Sequence, residues 1–166
     1  MVERIYLAGF MGAGKTTVGR LLAELLVWSF VDLDTEIQRV EGRSIANMFE
    51  NSGEPYFRRV ESEQLREVSR LTKRVVALGG GTYADPGNRA YVEESGMSVY
   101  LETSLESIQN RIDDDGSRPL FANSLRMAEL YQERLPSYRM ASVTVNTDSL
   151  NSKDLAGRIV QFVSSL

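Results

Sequence analysis

Gly9-Phe10-Met11-Gly12-Ala13-Gly14-Lys15-Thr16 is the stretch around which the rest of the chain is read. It fits G-x-x-x-x-G-K-[ST], a loop that cradles phosphates. In front of it, Ile5-Tyr6-Leu7-Ala8 reads as a short buried strand. Behind it, Val18, Leu21, Leu22, Leu25 and Leu26 recur at helical spacing from Thr17 to Leu26. Strand, glycine loop and helix are the context the motif requires. Glycines let successive N–H groups turn inward onto phosphate oxygens, and the helix N-terminus adds its positive dipole end. Gly12, Ala13, Gly14, Lys15, Thr16 and Thr17 are therefore candidates for ATP binding. Lys15 would reach the β- and γ-phosphates, and the Thr16 hydroxyl would ligate Mg²⁺.

The 166 residues suit a single domain, 1–166, with at most a small lid. A formal net charge of -4 argues against nucleic-acid or acidic-membrane partners, which need a basic face. The chain has no cysteine and no histidine. Disulfides, thiolate nucleophiles, Cys/His zinc sites and histidine acid–base catalysis are thereby excluded. A metal must be a hard cation on oxygen ligands, which points to Mg²⁺, and a general base must come chiefly from Asp or Glu. No apolar run precedes the first strand or is long enough to span a membrane. The expected address is the cytoplasm.

Ser29-Phe30-Val31-Asp32-Leu33-Asp34 reads as a second strand ending in two aspartates, followed by a short helix from Thr35 to Val40. Ser44 is the expected N-cap of a helix over Ile45 to Glu50. Glu54-Pro55 opens a longer helix, with Phe57, Val60, Leu65, Val68 and Leu71 along one face. Arg74-Val75-Val76-Ala77-Leu78 runs as a buried parallel strand would and stops at Gly79-Gly80-Gly81. Further on, Pro86 to Glu94, Leu105 to Ile112, Leu125 to Leu135 and Leu155 to Leu166 read as helices, Pro136 ending the third. Ser98 to Leu101 and Val143 to Val145 read as strands, and Asp113 to Pro119 as a polar loop. The alternation predicts an α/β fold: a central five-stranded parallel sheet flanked by helices. Val40 to Leu71 holds two helices, more than a crossover needs, and is expected to project as a substrate-binding element.

Ligands of open α/β sheets sit outside the carboxyl ends of the strands. The phosphate loop, the Asp32/Asp34 pair and the triple glycine all emerge there. Phosphoryl transfer to an alcohol needs Mg²⁺, a cationic clamp and a carboxylate to orient or deprotonate the hydroxyl. Asp34 suits the last role and Asp32 the metal; Asp34 is equally readable as the N-cap of the following helix. Gly79-Gly80-Gly81 is either a plain turn or a backbone surface that a small substrate approaches closely. Arg58 and Arg59 with Glu61 are either a solvated surface cluster or a guanidinium held by Glu61 and aimed at a substrate carboxylate. Arg118 is either an exposed loop residue or a lid arginine brought over the transferring group. Met11, Trp28 and Phe49 read as packing, with Phe49 and Phe57 as an alternative pocket wall.

Gly9 to Thr17, Asp32-x-Asp34, Phe57-Arg58-x-x-Glu61, Gly79-Gly80-Gly81, Arg118-Pro119-Leu120 and Arg134-x-Pro136-x-Tyr138 together resemble the shikimate kinases over almost the whole chain. The resemblance implies a P-loop kinase of the nucleoside-monophosphate-kinase type. A substrate-binding segment would cover about 33–61 and a lid about 112–124. The implied activity is ATP-dependent phosphorylation of the 3-hydroxyl of shikimate, in chorismate and aromatic amino acid biosynthesis. By position Asp34 would be the base, Lys15 the phosphate clamp and Arg118 the lid arginine. Arg58, Gly80 and Arg134 would bind shikimate, the arginines gripping its carboxylate, with Phe57, Glu61, Gly79 and Gly81 around them. Arg111 and Asn151 fall on the adenine side, and Thr16 with Asp32 on the metal. The implied partners are shikimate and ATP with Mg²⁺, and a monomer is expected. Thr16 stands where the family usually has serine and keeps the hydroxyl. Val27 stands where a glycine commonly ends the helix; because positive φ strains valine, a differently shaped helix end is expected. Asp113, Asp114 and Asp115 add charge to the lid. A kinase of another small acceptor, gluconate or a nucleoside monophosphate, and a catalytically silent nucleotide-binding module are the rival readings.

Overall fold

Alternate residues of the first strand face two different cores. In β1 (Arg4–Ala8), Ile5 and Leu7 join one cluster and Tyr6 and Ala8 the other, the period of two that a strand buried on both faces imposes. The computed structural model describes residues 1–114 and 121–166, and the side chains of these outside 112–123. Among the described residues β1, β2 (Ser29–Asp32), β3 (Arg74–Ala77), β4 (Met97–Glu102) and β5 (Val143–Asn146) form one parallel sheet in the order β2-β3-β1-β4-β5. The chain leaves β1 for the β2 edge, returns to β3 beside β1, then crosses to β4 on the other side. The loops after β1, β2 and β3 therefore share one edge.

Helices α1 (Lys15–Leu26) and α8 (Ser152–Ser164) cover one face, burying Val18, Leu22, Leu155 and Ile159 with Leu7, Val75 and Val99. The other face carries α2 (Leu33–Glu41), α3 (Ile45–Ser52), α4 (Glu54–Val68), α5 (Pro86–Ser95) and α7 (Phe121–Tyr138). Their Leu33, Ile37, Met48, Leu65, Val92 and Tyr131 pack with Tyr6, Val76 and Tyr100. Helix α6 (Leu105–Asp114) follows β4. No helix of the described residues is long and apolar enough to cross a membrane.

Several boundaries differ from the sequence reading, each for a local reason. Strand β2 stops at Asp32, whose carboxylate accepts the Thr35 N–H at 3.1 Å and starts α2 at Leu33. Asp34 thus lies in the first turn of that helix, and the N-cap is Asp32. The Asn151 side chain caps α8 through the Asp154 N–H at 2.9 Å, so the helix begins three residues before Leu155 opens the apolar pattern. Leu71 lies beyond α4 and is 58% exposed. Pro136 is inside α7: in a last turn its missing amide removes a single bond, and Arg139 still donates to Leu135 at 3.1 Å.

Val27 overturns the expectation of a reshaped helix end. It takes the left-handed conformation itself, φ 56 and ψ 43, while Trp28 N–H bonds Ala23 O at 2.9 Å and Val27 N–H bonds Glu24 O at 3.2 Å. This is the glycine-type C-terminal motif built on a β-branched residue, a costly conformation held by the two bonds around it.

Candidate active site

The phosphate loop depends on backbone that only glycine adopts without cost: Gly12 has φ 77 and Gly14 has φ 90. Gly14 stands at the N-cap of α1 and offers no side-chain cap, leaving first-turn N–H groups open to an anion. Lys15 folds back over the loop, its Nζ donating to Gly9 O at 2.6 Å and Phe10 O at 3.0 Å. Burial lowers its pKa from 10.5 to about 8, against the raising effect of the Asp34 and Asp32 charges. Thr16 Oγ1 donates to Asp32 Oδ2 at 2.6 Å. This pair supplies hard oxygen donors at the same edge. Among the described residues no group of three or more carboxylates could hold a metal by itself. The donor set fits Mg²⁺, which typically takes one or two protein oxygens and fills its remaining positions with phosphate and water.

Beside the loop, Gly79-Gly80-Gly81 forms a turn closed by Thr82 N–H to Gly79 O at 3.1 Å. A Cβ on Gly79 would lie 2.6 Å from Asp34 Oδ1, one on Gly80 2.9 Å from Arg134 Nη1, and one on Gly81 2.7 Å from Arg58 Nη1. Three glycines in a row are the space that three charged side chains occupy. Behind them Glu61 is 1% exposed. Its Oε2 accepts Arg58 Nη1 at 2.9 Å and its Oε1 accepts the Thr82 hydroxyl at 2.6 Å. A buried carboxylate needs such partners on both oxygens. Arg58 also lies 5.2 Å over the Phe57 ring and Arg134 5.8 Å over Phe10. The Asp34 pKa is raised above 3.8, first by burial and then by the Asp32 and Glu61 charges, with Lys15 and Arg58 pulling it back.

Two hollows meet at the loop. One, of ≈ 300 Å³, runs between Lys15, Thr16, Asp32, Asp34, Met11 and Gly80. The other, of ≈ 510 Å³, lies between the phosphate loop and the start of α8, with Gly14, Thr17, Arg111, Leu150, Asn151 and Leu155 on its walls. Arg111 reaches across it to donate to Gly12 O at 2.8 Å. Phosphate loop, guanidinium groups and a carboxylate at one sheet edge have the chemistry to hold a polyphosphate and a small anionic alcohol.

The shikimate kinase family model matches residues 11–164. The chain belongs to the shikimate kinase family. Curated shikimate kinases resemble it along nearly their full length. That of Sulfurihydrogenibium sp. is 37% identical over 160 residues, 96% of either chain. That of Gloeobacter violaceus is 44% identical over 150 residues, 88% of this chain and 84% of the relative. A shikimate kinase from Acinetobacter baumannii, solved in complex with shikimate, superposes with a TM-score of 0.91 at 40% identity, covering 99% of this chain and 94% of that one. A sugar kinase from Janibacter shares the fold alone, with a TM-score of 0.62 at 16% identity.

Most of the candidates converge. Lys15, Thr16, Asp32, Asp34 and Gly80 line one hollow, Arg58 and Arg134 lie against the glycine turn with Glu61 behind Arg58, and Arg111 and Asn151 line the other hollow with Gly12, Ala13, Gly14 and Thr17. Ala13 turns its side chain into the core and bonds Phe10 O through its N–H at 3.1 Å. The Arg58–Glu61 pair is the buried arrangement, whereas Arg59 makes the surface pair, 3.9 Å from Glu63. Phe57 is buried 4.9 Å from Phe49 and forms the floor under Arg58. Arg118 and most of the lid lie outside the described residues. Two residues escaped the sequence reading. Thr82 directly follows the triple glycine, and Leu150 has no local signal because only the packing of α8 on α1 brings it to the hollow.

Proposed function

We propose that this site transfers the γ-phosphoryl group of ATP to the 3-hydroxyl of shikimate, giving shikimate 3-phosphate and ADP for aromatic amino acid biosynthesis. The observation that carries it is the meeting of Asp34, Arg58 and Arg134 on one glycine turn beside Lys15. The ring carboxylate of shikimate suits the two guanidinium groups, leaving a hydroxyl for Asp34. The base takes the proton of that hydroxyl as its oxygen bonds to phosphorus, and ADP leaves. Burial raises the Asp34 pKa toward a base's working range while the carboxylate still ionises.

Lys15 exchanges its two backbone carbonyl partners for phosphate oxygens, a shift from neutral to charged acceptors. Thr16 and Asp32 would hold Mg²⁺, which would supply positive charge to neutralise that developing on the phosphoryl group. The ≈ 510 Å³ hollow takes the nucleoside, with Arg111 and Asn151 at its walls. Residues of about 33–61 serve as the shikimate-binding segment, and Arg118 in a lid of about 112–124 keeps the role the resemblance implies. The enzyme works as a monomer in the cytoplasm, on small molecules only.

The test is ADP release from Mg·ATP with shikimate, gluconate or AMP offered in parallel. Shikimate-dependent release alone is expected. Release with gluconate or AMP instead would reject the acceptor assignment, and no release with any of them would reject the kinase reading.

A further inference from the structure

Arg134-x-Pro136-x-Tyr138 places an arginine and a tyrosine four residues apart on one helix face, and the function above uses only the arginine. Tyr138 is 1% exposed, with its ring stacked on Tyr100 at 5.2 Å between centroids. Its hydroxyl donates to the Gly80 carbonyl, and the Arg134 guanidinium lies over the same glycine. Arg134 in turn fills the space over Gly80 that a Cβ would contest. Burial pushes the Tyr138 phenol up to about 12 against the opposing Arg134 charge, so it remains a donor at every working pH. Packing alone does not call for the hydroxyl, because a phenylalanine ring would supply the same stacked apolar area. Pro136 removes one amide from the backbone ladder of this last turn, which makes the side-chain link to the glycine turn the more useful.

We infer that Tyr138 is a positioning residue for the acceptor: its hydroxyl holds the Gly80 peptide against which the Arg134 guanidinium lies, so that glycine and arginine meet the acceptor preformed. The inference rests on the reading that Arg134 and Gly80 bind shikimate.

The experiment is initial-rate kinetics of the full chain as Tyr138→Phe, Arg134→Ala and the double variant, varying shikimate and ATP separately, with a melting curve of each. Tyr138→Phe is expected to raise the KM for shikimate about tenfold, the scale of one lost hydrogen bond to a charged or buried partner. The KM for ATP should stay within about twofold. In the double variant the rise in shikimate KM should be smaller than the product of the two single rises, since both side chains act on the same glycine turn. An unchanged shikimate KM in Tyr138→Phe, equal rises in both KM values, full additivity, or failure of Tyr138→Phe to fold would each overturn the positioning role. Loss of any shikimate effect in Arg134→Ala would instead overturn the clamp on which it rests.

Discussion

Gly79→Ala is expected to disable turnover while leaving the nucleotide site intact. Gly79 is not among the residues with positive φ, so alanine fits its backbone and one methyl group is the whole change. That methyl would lie 2.6 Å from Asp34 Oδ1 and 3.0 Å from Thr82 Oγ1, where ordinary contact begins near 3.4 Å. Asp34 cannot retreat with its backbone, because the Asp32 cap fixes the start of α2. Its carboxylate must turn away by most of an ångström. A misplacement of about 1 Å costs a reaction on the order of 10²-fold, or about 2.7 kcal/mol of barrier. The kcat should fall by that factor with the KM for ATP nearly unchanged, since the groups around the larger hollow lie on the phosphate loop, α1, α6 and the chain entering α8. The assay is ADP-coupled initial rates with both substrates varied. Gly157→Ala is the control: nothing lies within 4 Å of its added Cβ, and as a helix-interior change it should keep kcat and add about 0.5–1 kcal/mol of stability. A folded Gly79→Ala enzyme with near-normal kcat would refute the reasoning, for then Asp34 is either not the base or not seated by the missing side chain.

Other outcomes follow from the same geometry. Val27→Gly should stabilise the protein: the left-handed conformation costs an L-residue roughly 1–2 kcal/mol, partly offset by the greater freedom of unfolded glycine. Val27 is 89% exposed, so little burial is lost, and a gain of about 0.5–1 kcal/mol would raise Tm by a few degrees; a lower Tm rejects this. In the free enzyme Lys15 is charged below about 8 and loses its proton above it. The kcat/KM for ATP should therefore fall as pH rises through that value, and a flat profile would contradict it. On the acid side, Asp34 must be ionised to act as base and its pKa is raised, so kcat/KM for shikimate should fall with a midpoint above 3.8; a midpoint at or below that value counts against Asp34. Arg58→Ala should raise the KM for shikimate at least tenfold while that for ATP changes little, on the scale of a lost charged hydrogen bond; equal rises would remove Arg58 from the acceptor clamp.

What the sequence determined by itself is whatever depends on neighbours in the chain. The phosphate loop is eight contiguous residues whose glycines permit the required φ, and strand and helix periods flank it, so the nucleotide half of the site and the α/β alternation were legible at once. Arg58 and Glu61 share a helix face by spacing alone, but Arg59 and Glu63 are also one turn apart, and only burial separates the candidate pair from the surface one. The Asp32 cap and the Val27 helix end are not legible in the sequence because two aspartates one residue apart, or a valine, are equally compatible with either backbone until the surrounding hydrogen bonds form. The tertiary structure alone decided that each glycine of the triple makes room for a different charge, carried on α2, α4 and α7. It also decided that Thr82 donates to Glu61 and Tyr138 to the Gly80 carbonyl. These contacts join residues 21 to 58 positions apart, and no local pattern encodes a distance that only the packing of helices on a sheet creates.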